Sequence, residues 1–392
     1  MKKTIAMLLA ASMVCPLAAC GGAKKAPEGG EIKIGTISPN TGAMAVYGEA
    51  MVNAYDMAAA EINADGGING KKVVLVKKDD QMDPTESLNA FNALVAEGVD
   101  VVLGAVSSGC TAAITDAANE EEVLLLTPTS TADSITTKDD YVFRTCYADS
   151  FQGKIAAKYA KDLGCKEVGV LYCAADTYSK GLYDSFANAC KDYGINVVAA
   201  ESAATMETIE FSNQWAAIKA KGVGFVFAPF YYYTVGPYVV PQARTAGYTG
   251  IIMGADGYDS ANNYISQGSD LSAWNNVMFT NHYDPADKNP VVKKFVTNYK
   301  TKYNDTPNAL AALAYDGLYM IKKAMEKAGA EDAKSVRDAL ADTSTVYKGV
   351  TGTFTLDKSG TPVKGATVVE YYYDKANNKV ATKLRDVVKK LD

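Results

Sequence analysis

The chain has 392 residues, of which 48% are hydrophobic and 21% charged, a balance typical of a globular protein. This length exceeds the roughly 250–300 residues at which a single hydrophobic core stops growing, so we expect more than one folding unit. The net charge of −6 and the lack of a basic patch beyond the extreme N-terminus argue against nucleic-acid binding. The single histidine, His282, argues against histidine-based metal centres and catalytic dyads, and we expect it to be an ordinary surface or boundary residue.

The first twenty residues predict an export signal. Met1-Lys2-Lys3 is basic, residues 4–14 form an apolar run too short to span a bilayer permanently, and small residues precede Cys20. This pattern resembles a bacterial lipobox, with cleavage before Cys20 and lipid on its thiol. We predict a lipoprotein signal peptide over 1–19 and a flexible tether over 20–30. The protein would then be exported and lipid-anchored, on the outer face of the cytoplasmic membrane or in the periplasm.

Strands and helices alternate from residue 31 onwards. Predicted strands cover 32–37, 73–76, 99–103, 123–126 and 141–145, and helices between them cover 48–64, 85–97 and 111–121. In a second series, strands cover 167–172, 196–200, 224–228, 250–253 and 277–280, and helices cover 151–163, 179–193, 211–221 and 235–246. This spacing is that of βαβ units, which favour parallel sheets covered by helices on both faces. The predicted fold is therefore α/β, with two doubly wound parallel-sheet lobes.

The C-terminal third has a different pattern. Helices are predicted over 289–303, 309–328 and 333–342, followed by strands over 348–356 and 367–373 that a turn at 357–360 joins. The chain therefore returns to lobes already begun.

Five cysteines follow Cys20, and an odd number leaves at least one free thiol. Cys165 and Cys190 lie near the ends of neighbouring helical segments and are the pair we would suggest. The other three are Cys110, Cys146 and Cys173.

Polar residues follow the predicted strands, at the edge where open α/β sheets bind ligands. The first lobe offers hydroxyl groups at helix N-termini, among them Ser107, Ser108 and Thr131, whereas the second offers tyrosines and Asp256. A helix N-terminus suits an anion, and a carboxylate suits a cation. A zwitterionic amino acid fits this division, with its carboxylate on Ser108 and Thr131 and its ammonium on Asp256.

Each of these residues also has a purely structural interpretation. Ser107, Ser108 and Thr131 could cap helices, and Asp256 before Gly257 could be a turn residue. Tyr178 could pack at the start of a helix, and the tyrosines at 231–233 could be core and boundary packing. Asp79-Asp80 is expected to stabilise a turn rather than bind a metal.

Several stretches resemble the branched-chain amino acid binding proteins of bacterial ABC importers. They are the segment 34–80, LGAVSSGCT at 103–111, LLTPTSTA at 125–132, DTYSKGL at 176–182, QARTAGY at 242–248 and GADGYDS at 254–260. The resemblance implies a periplasmic binding protein type I (Venus-flytrap) fold, in which a three-segment hinge joins the lobes. Lobe 1 would comprise 31–146 with 281–347, and lobe 2 would comprise 147–280 with 348–392.

The resemblance also implies a set of ligand-binding residues. Ser108 and Thr131 would bind the α-carboxylate, Asp256 would take the ammonium, and Tyr47 would line the side-chain pocket. The better-known relatives carry Glu at the position of Asp256, and some have a disulfide where this chain has Met82 and Ser107. The complete set of ligand-binding residues is Tyr47, Val106, Ser107, Ser108, Thr129, Ser130, Thr131, Tyr178, Tyr231 and Asp256.

The expected function is the capture of a branched-chain or similar apolar amino acid and its delivery to the permease subunits of an ABC importer. A ligand-sensing module of the same fold, or a binder of an amide or small acid, is the alternative. GxSxG, HExxH and P-loop motifs do not occur in the sequence, so we do not expect an enzyme. No cofactor, metal or nucleic acid is expected, and the protein is expected to be a monomer.

Overall fold

The computed structural model describes residues 29–137 and 140–389. The predicted signal peptide, Cys20 and the tether up to residue 28 lie outside the described residues. The first series of elements is β1 (Glu31–Ser38), α1 (Ala45–Ala64), β2 (Lys72–Asp79), α2 (Pro84–Ala96), β3 (Val101–Leu103), α3 (Ser108–Glu120), β4 (Leu124–Thr127) and β5 (Val142–Arg144). The second is α4 (Asp149–Asp162), β6 (Glu167–Cys173), α5 (Thr177–Asp192), β7 (Asn196–Ala203), α6 (Ser212–Ala220), β8 (Phe225–Phe227), α7 (Tyr232–Thr234), α8 (Val240–Thr245), β9 (Ile251–Gly254) and β10 (Val277–Asn281).

The C-terminal third begins with three helices that pack on the first series. They are α9 (Pro290–Tyr303), α10 (Ala309–Ala328) and α11 (Ala333–Leu340). Five strands follow, namely β11 (Tyr347–Gly349), β12 (Gly352–Leu356), β13 (Pro362–Val363), β14 (Ala366–Asp374) and β15 (Lys379–Val388). Helix α10 is buried along most of its length and packs against α1. Helix α10 is therefore the central helix among those that pack with the first series of elements.

Two sheets form the framework. The first has the order β2-β1-β3-β4-β5 and is parallel throughout. The second has the order β15-β14-β10-β9-β8-β6-β7, parallel from β10 to β7 and antiparallel at β14 and β15. We call each sheet with its covering helices the first and the second lobe. The predicted α/β fold with two parallel-sheet lobes is confirmed.

Within the described residues, the chain passes between the lobes three times. The crossings are residues 145–148 after β5, residues 282–289 after β10, and residues 341–365 between α11 and β14. The third crossing contains the small antiparallel sheet β11-β12-β13. This small sheet stays close to the first lobe, since Asp316 of α10 accepts hydrogen bonds from the Val350 and Thr351 N–H groups, and Arg144 N–H donates to Gly360 O.

The predicted hairpin between 348–356 and 367–373 is wrong. The turn at 357–360 instead joins β12 to β13, and the Asp357 N–H closes it on Thr361 O at 2.8 Å. Strand β14 lies in the second sheet between β10 and β15, and the sequence analysis did not predict β15. The strand predicted at 367–373 is present, but its predicted pairing partner is wrong because that partner was inferred from nearness in the sequence.

The helix predicted over 235–246 is interrupted. A π-helical turn, Val235–Val239, separates α7 from α8. Pro237 and Pro241, four residues apart, each lack the N–H that a regular α-helix needs, and the proline ring also clashes with the preceding turn.

Cys110, Cys146, Cys165, Cys173 and Cys190 are all free thiols. The suggested Cys165–Cys190 pair is therefore wrong. Cys190 is fully buried in the second lobe, whereas Cys165 is only partly buried. A position near the end of a neighbouring helical segment was therefore not sufficient evidence for a disulfide.

Within residues 29–137 and 140–389, no helix combines the length and the apolar character that crossing a bilayer requires.

Candidate functional site

The carboxyl ends of strands from both lobes border one small, largely buried cavity. About 300 Å³ of space, part of it open to solvent, lies among its lining residues. The first lobe contributes Met44, Tyr47, Val106, Ser108, Thr129 and Leu310, and the second contributes Tyr178, Tyr231, Asp256 and Gly257. Ser108 and Asp256, predicted to bind opposite ends of a ligand, thus line the same cavity from different lobes.

Strand β3 ends in a tight approach to its neighbour. Gly104 has φ +148°, and a Cβ there would lie 2.6 Å from Ile37 O of β1, so only glycine fits. Ser107 then caps α3, since its Oγ accepts a hydrogen bond from the Cys110 N–H at 3.2 Å. The structural interpretation of Ser107 is therefore correct.

Ser108 is the first residue of α3 and has a different role. Its Oγ accepts a hydrogen bond from the Ala132 N–H at 3.2 Å, which leaves its own hydroxyl hydrogen available to an acceptor. The N–H groups of Ser108 and Gly109 lie in the first turn, where a helix supplies no acceptor. This end of the cavity can therefore bind an anion by hydrogen bonds and the helix dipole, without a basic side chain.

The loop after β4 is held rigidly against α3. The hydroxyl groups of Thr129 and Ser130 donate to the carbonyl oxygen of Val106, at 2.8 and 3.2 Å. Behind the loop, buried Arg144 donates to the carbonyl oxygens of residues 130, 131 and 132 at 3.3, 2.9 and 3.0 Å. Thr131 is fully buried, and its hydroxyl hydrogen-bonds to the Asp149 carboxyl group. Arg144 thus fixes the loop that carries Thr129 and Thr131.

Asp256 lies at the centre of a buried hydrogen-bond network in the second lobe. Its Oδ1 accepts from Tyr178 Oη at 2.9 Å and from Gln152 Nε2 at 3.1 Å, and its Oδ2 lies 2.9 Å from His282 Nε2. Gln152 Oε1 in turn accepts from the Asp256 N–H. The structural interpretation of Asp256 as a simple turn residue does not account for this set of partners.

The surroundings of Asp256 are strongly acidic. Asp149, at the start of α4, is fully buried; its Oδ1 accepts from Gln152 Nε2 at 3.3 Å, and the Thr131 hydroxyl hydrogen-bonds to its carboxyl group. Burial, together with the charge of Asp256, raises the pKa of Asp149 well above its usual range. Burial also raises the pKa of Asp259. A cationic group brought to this end of the cavity would relieve the repulsion among these carboxyl groups.

Tyrosines make up much of the wall between the two polar ends. The Tyr178 and Tyr231 rings stack with their centroids 4.8 Å apart, and Tyr231 Oη is buried without a partner. Met44, Val106 and Leu310 add aliphatic surface. Tyr231, rather than Tyr232 or Tyr233, is the member of the tyrosine run that reaches the cavity.

Hydrogen bonds across the cavity connect the lobes. Tyr47 of α1 donates to the carbonyl oxygens of Gly257 and Asp259, at 3.1 and 2.7 Å. Tyr232 of the second lobe donates to Ala43 O at 2.9 Å, and its ring lies 4.3 Å from that of Tyr47. These contacts join the two lobes beside the cavity.

Seven of the ten predicted ligand-binding residues line the cavity, while Ser107, Ser130 and Thr131 do not. Ser107 caps α3, and Ser130 Oγ bonds to the loop after β3. Six residues of the site were not predicted from the sequence, namely Met44, Gly257, Leu310, Asp149, Gln152 and His282. The described part of the chain holds no group of three or more His, Cys, Asp and Glu side chains suited to a metal ion.

The prediction for His282 is wrong, since its side chain is fully buried and bonds to Asp256. The sequence does contain a signal for it, because His282 directly follows β10 and therefore lies at the ligand-binding edge of a parallel strand.

The fold and the cavity between two α/β lobes define a solute-binding protein. A family model described as periplasmic binding protein matches residues 31–377, and the chain belongs to this family. Its relatives are binding proteins rather than enzymes, as the sequence analysis expected.

Three relatives indicate where in the family the chain lies. Leu/Ile/Val-binding protein homolog 3 of Brucella melitensis is 32% identical, over 84% of this chain and 88% of that protein. The leucine-binding protein LivK of Thermotoga maritima superposes with a TM-score of 0.81 at 30% identity, covering 91% of this chain and 99% of its own. LivJ of Streptococcus pneumoniae, solved with isoleucine, has a TM-score of 0.81 at 31% identity, with the same coverage. The suspected resemblance to the branched-chain amino acid binding proteins is confirmed.

Proposed function

We propose that this protein captures an apolar α-amino acid, branched-chain or of similar shape, between its lobes and delivers it to the permease of an ABC importer. The observation that carries the proposal is a single buried cavity with an anion-binding helix N-terminus on one lobe and Asp256 on the other. The names of the relatives, which describe binding of leucine, isoleucine and valine, support it.

The ligand carboxylate would lie at the N-terminus of α3. Ser108 has a hydroxyl hydrogen to donate, whereas Thr131 would take part only by exchanging its hydrogen bond to Asp149 for one to the ligand. Backbone groups near Val106 and Thr129 would complete the set. A carboxylate bound here gains charge-assisted hydrogen bonds, which are stronger than neutral ones.

The ligand ammonium would lie against Asp256. An ionised carboxylate offers about four lone-pair sites, and Tyr178, Gln152 and His282 use three of them. One site remains for the ammonium. The Asp256 side chain is one methylene shorter than that of glutamate. The hydrogen bonds from Tyr178 and Gln152 would therefore hold its carboxylate in position for the ammonium.

The ligand side chain would contact Tyr47, Tyr231, Met44 and Leu310. The apolar surface and small size of the cavity favour an aliphatic side chain of moderate length over a charged one.

We also propose that the two lobes act as a hinged pair, lobe 1 comprising 31–146 with 281–347 and lobe 2 comprising 147–280 with 348–392. The boundary at 347/348 falls within the small sheet of the third crossing, which is hydrogen-bonded to the first lobe. A ligand that contacts both lobes stabilises the closed arrangement, and the permease would recognise that arrangement. The function is that of a monomer without a cofactor.

The N-terminal sequence supports an anchored form of this receptor. We propose that residues 1–19 are removed on export and that lipid on Cys20 holds the protein at the outer face of the cytoplasmic membrane or in the periplasm.

Calorimetric titration of the purified protein with the twenty amino acids, their amides and small carboxylic acids tests the ligand class. We expect heat from leucine, isoleucine or valine. Asp256→Asn should weaken that binding about 10- to 100-fold, since hydrogen bonds to charged groups contribute about 1.5–3 kcal/mol. Asp162→Asn, at an exposed carboxylate of α4, is the matched control and should leave affinity unchanged. Binding of amides or acids alone would refute the amino-acid assignment.

A further inference from the structure

The only histidine of the chain contacts the carboxylate that would receive the ligand's ammonium. His282 Nε2 lies 2.9 Å from Asp256 Oδ2, and the imidazole is fully shielded from solvent. We propose that a protonated His282 and the ligand's ammonium compete for Asp256, so that amino-acid capture is coupled to loss of a proton from this imidazole. The inference rests on the proposed function, because it requires a cationic group at Asp256.

The geometry distinguishes the two protonation states of His282. A neutral imidazole with its proton on Nε2 donates one hydrogen bond to Asp256 and leaves the unpartnered Nδ1 as an acceptor. A protonated imidazole would bury a second N–H without a partner, but would form an ion pair with Asp256. In the first state Asp256 keeps its negative charge for the ligand, whereas in the second the imidazolium neutralises it.

The groups that face His282 come from all three crossings between the lobes. Tyr147 of the first crossing stacks on the imidazole, with ring centroids 3.9 Å apart. His282 itself begins the second crossing, and Lys364 of the third contributes a positive charge that disfavours imidazolium. Burial lowers the pKa of His282, and Asp256 opposes this shift. The imidazole is therefore neutral at neutral pH.

The sign of the coupling follows from the charges. Near neutral pH the ammonium meets a free carboxylate, and no proton needs to leave. As the pH falls through the His282 midpoint, the ligand must displace a proton to the solvent, so affinity decreases with decreasing pH. The limiting slope is a tenfold loss of affinity per pH unit, which corresponds to one proton released for each ligand bound.

The test is leucine binding between pH 5 and pH 8 by wild type and His282→Gln, with an affinity tag that contains no histidine. Titrations in buffers of different ionisation enthalpy give the number of protons released. Wild type should lose affinity towards the limiting slope at acid pH and release protons there, whereas His282→Gln should lose less and release fewer. Asp176, whose pKa burial raises to about 6, titrates in the same range but is present in both proteins.

A second measurement does not depend on a variant. Because the chain has one histidine, its imidazole NMR signals need no assignment by mutagenesis. Saturating leucine should move the titration midpoint of these signals to lower pH. Equal pH slopes in the two proteins, or a midpoint that leucine does not move, would overturn the inference while leaving amino-acid binding intact. Failure of wild type to bind leucine, isoleucine or valine at any pH would overturn the proposed function, and the inference with it.

Discussion

Two adjacent serines at the start of α3 have different roles, one in helix capping and one in the lining of the cavity. Ser107 Oγ accepts from the Cys110 N–H and caps the helix, whereas Ser108 lines the cavity and has a hydroxyl hydrogen to donate. Both are buried, and both follow the same strand. Their side chains are chemically identical, so their substitutions form a matched pair.

We expect Ser108→Ala to weaken amino-acid binding by about 1–3 kcal/mol, because its hydroxyl would donate to a charged carboxylate. Ser107→Ala should instead lower stability by about 0.5–2 kcal/mol through loss of the cap, with a smaller effect on affinity. Calorimetry measures the first effect and thermal unfolding the second. If Ser107→Ala weakened binding as much as Ser108→Ala, the division of roles between the two serines would be wrong.

The sequence predicts the cavity residues that directly follow a strand or belong to a conspicuous motif, such as Ser108, Tyr178 and Asp256. It does not predict Gln152, which lies one turn into α4 and is 104 positions from its partner Asp256. A glutamine on a helix face carries no pattern that distinguishes a buried network from an exposed surface. His282 differs, because its place after β10 was visible, but a lone histidine gave no reason to pair it with a particular carboxylate.

The helices and strands are predictable here because repeated βαβ units set both the spacing of hydrophobic residues within each element and the distance between elements along the chain. Pairing partners are less predictable at the C-terminus. The turn at 357–360 is present, yet β14 pairs with β15 and with β10, which lies far away in the sequence, rather than with β12 as predicted. The residues of a turn determine where the chain reverses direction. The sheet that a strand joins depends instead on which sheet still has an unpaired edge strand, and this is determined only once the lobe has assembled.

Helix α1 and the tyrosine run after β8 form the direct bridge across the cavity mouth. We expect Tyr232→Phe to weaken ligand binding by about 0.5–1.5 kcal/mol, because it removes the hydrogen bond to Ala43 O without altering the cavity lining. The loss should appear mainly as faster dissociation in stopped-flow fluorescence, since closure retains the ligand.

Tyr303→Phe is the matched control for this bridge. Tyr303 Oη donates to Asn53 O at 2.7 Å, a tyrosine–carbonyl bond within the first lobe. Its loss should lower stability without changing the dissociation rate. Equal dissociation rates for Tyr232→Phe and wild type would show that the bridge does not contribute to ligand retention.

At the scale of the whole molecule, we propose that the three crossings let one lobe rotate against the other while each sheet stays intact. The third crossing is tied to the first lobe at Asp316 and Gly360 before β14 enters the second sheet. We therefore expect bending in the short segments 145–148 and 282–289 and in the few residues before β14. A ligand that binds both lobes shifts the population towards closure by its differential affinity for the closed form.

This arrangement predicts that an amino-acid ligand makes the protein more compact and more stable. Saturating leucine should decrease the radius of gyration measured by small-angle X-ray scattering. At a hundred times the dissociation constant it should stabilise the fold by about 2.7 kcal/mol, which is measurable as a higher Tm. Asp256→Asn at the same leucine concentration should be stabilised by only about 0.4–1.4 kcal/mol, because a 10- to 100-fold weaker affinity leaves leucine at about one to ten times the variant's dissociation constant. A rise in Tm without compaction would mean that leucine binds one lobe only, and hinge closure would then be wrong.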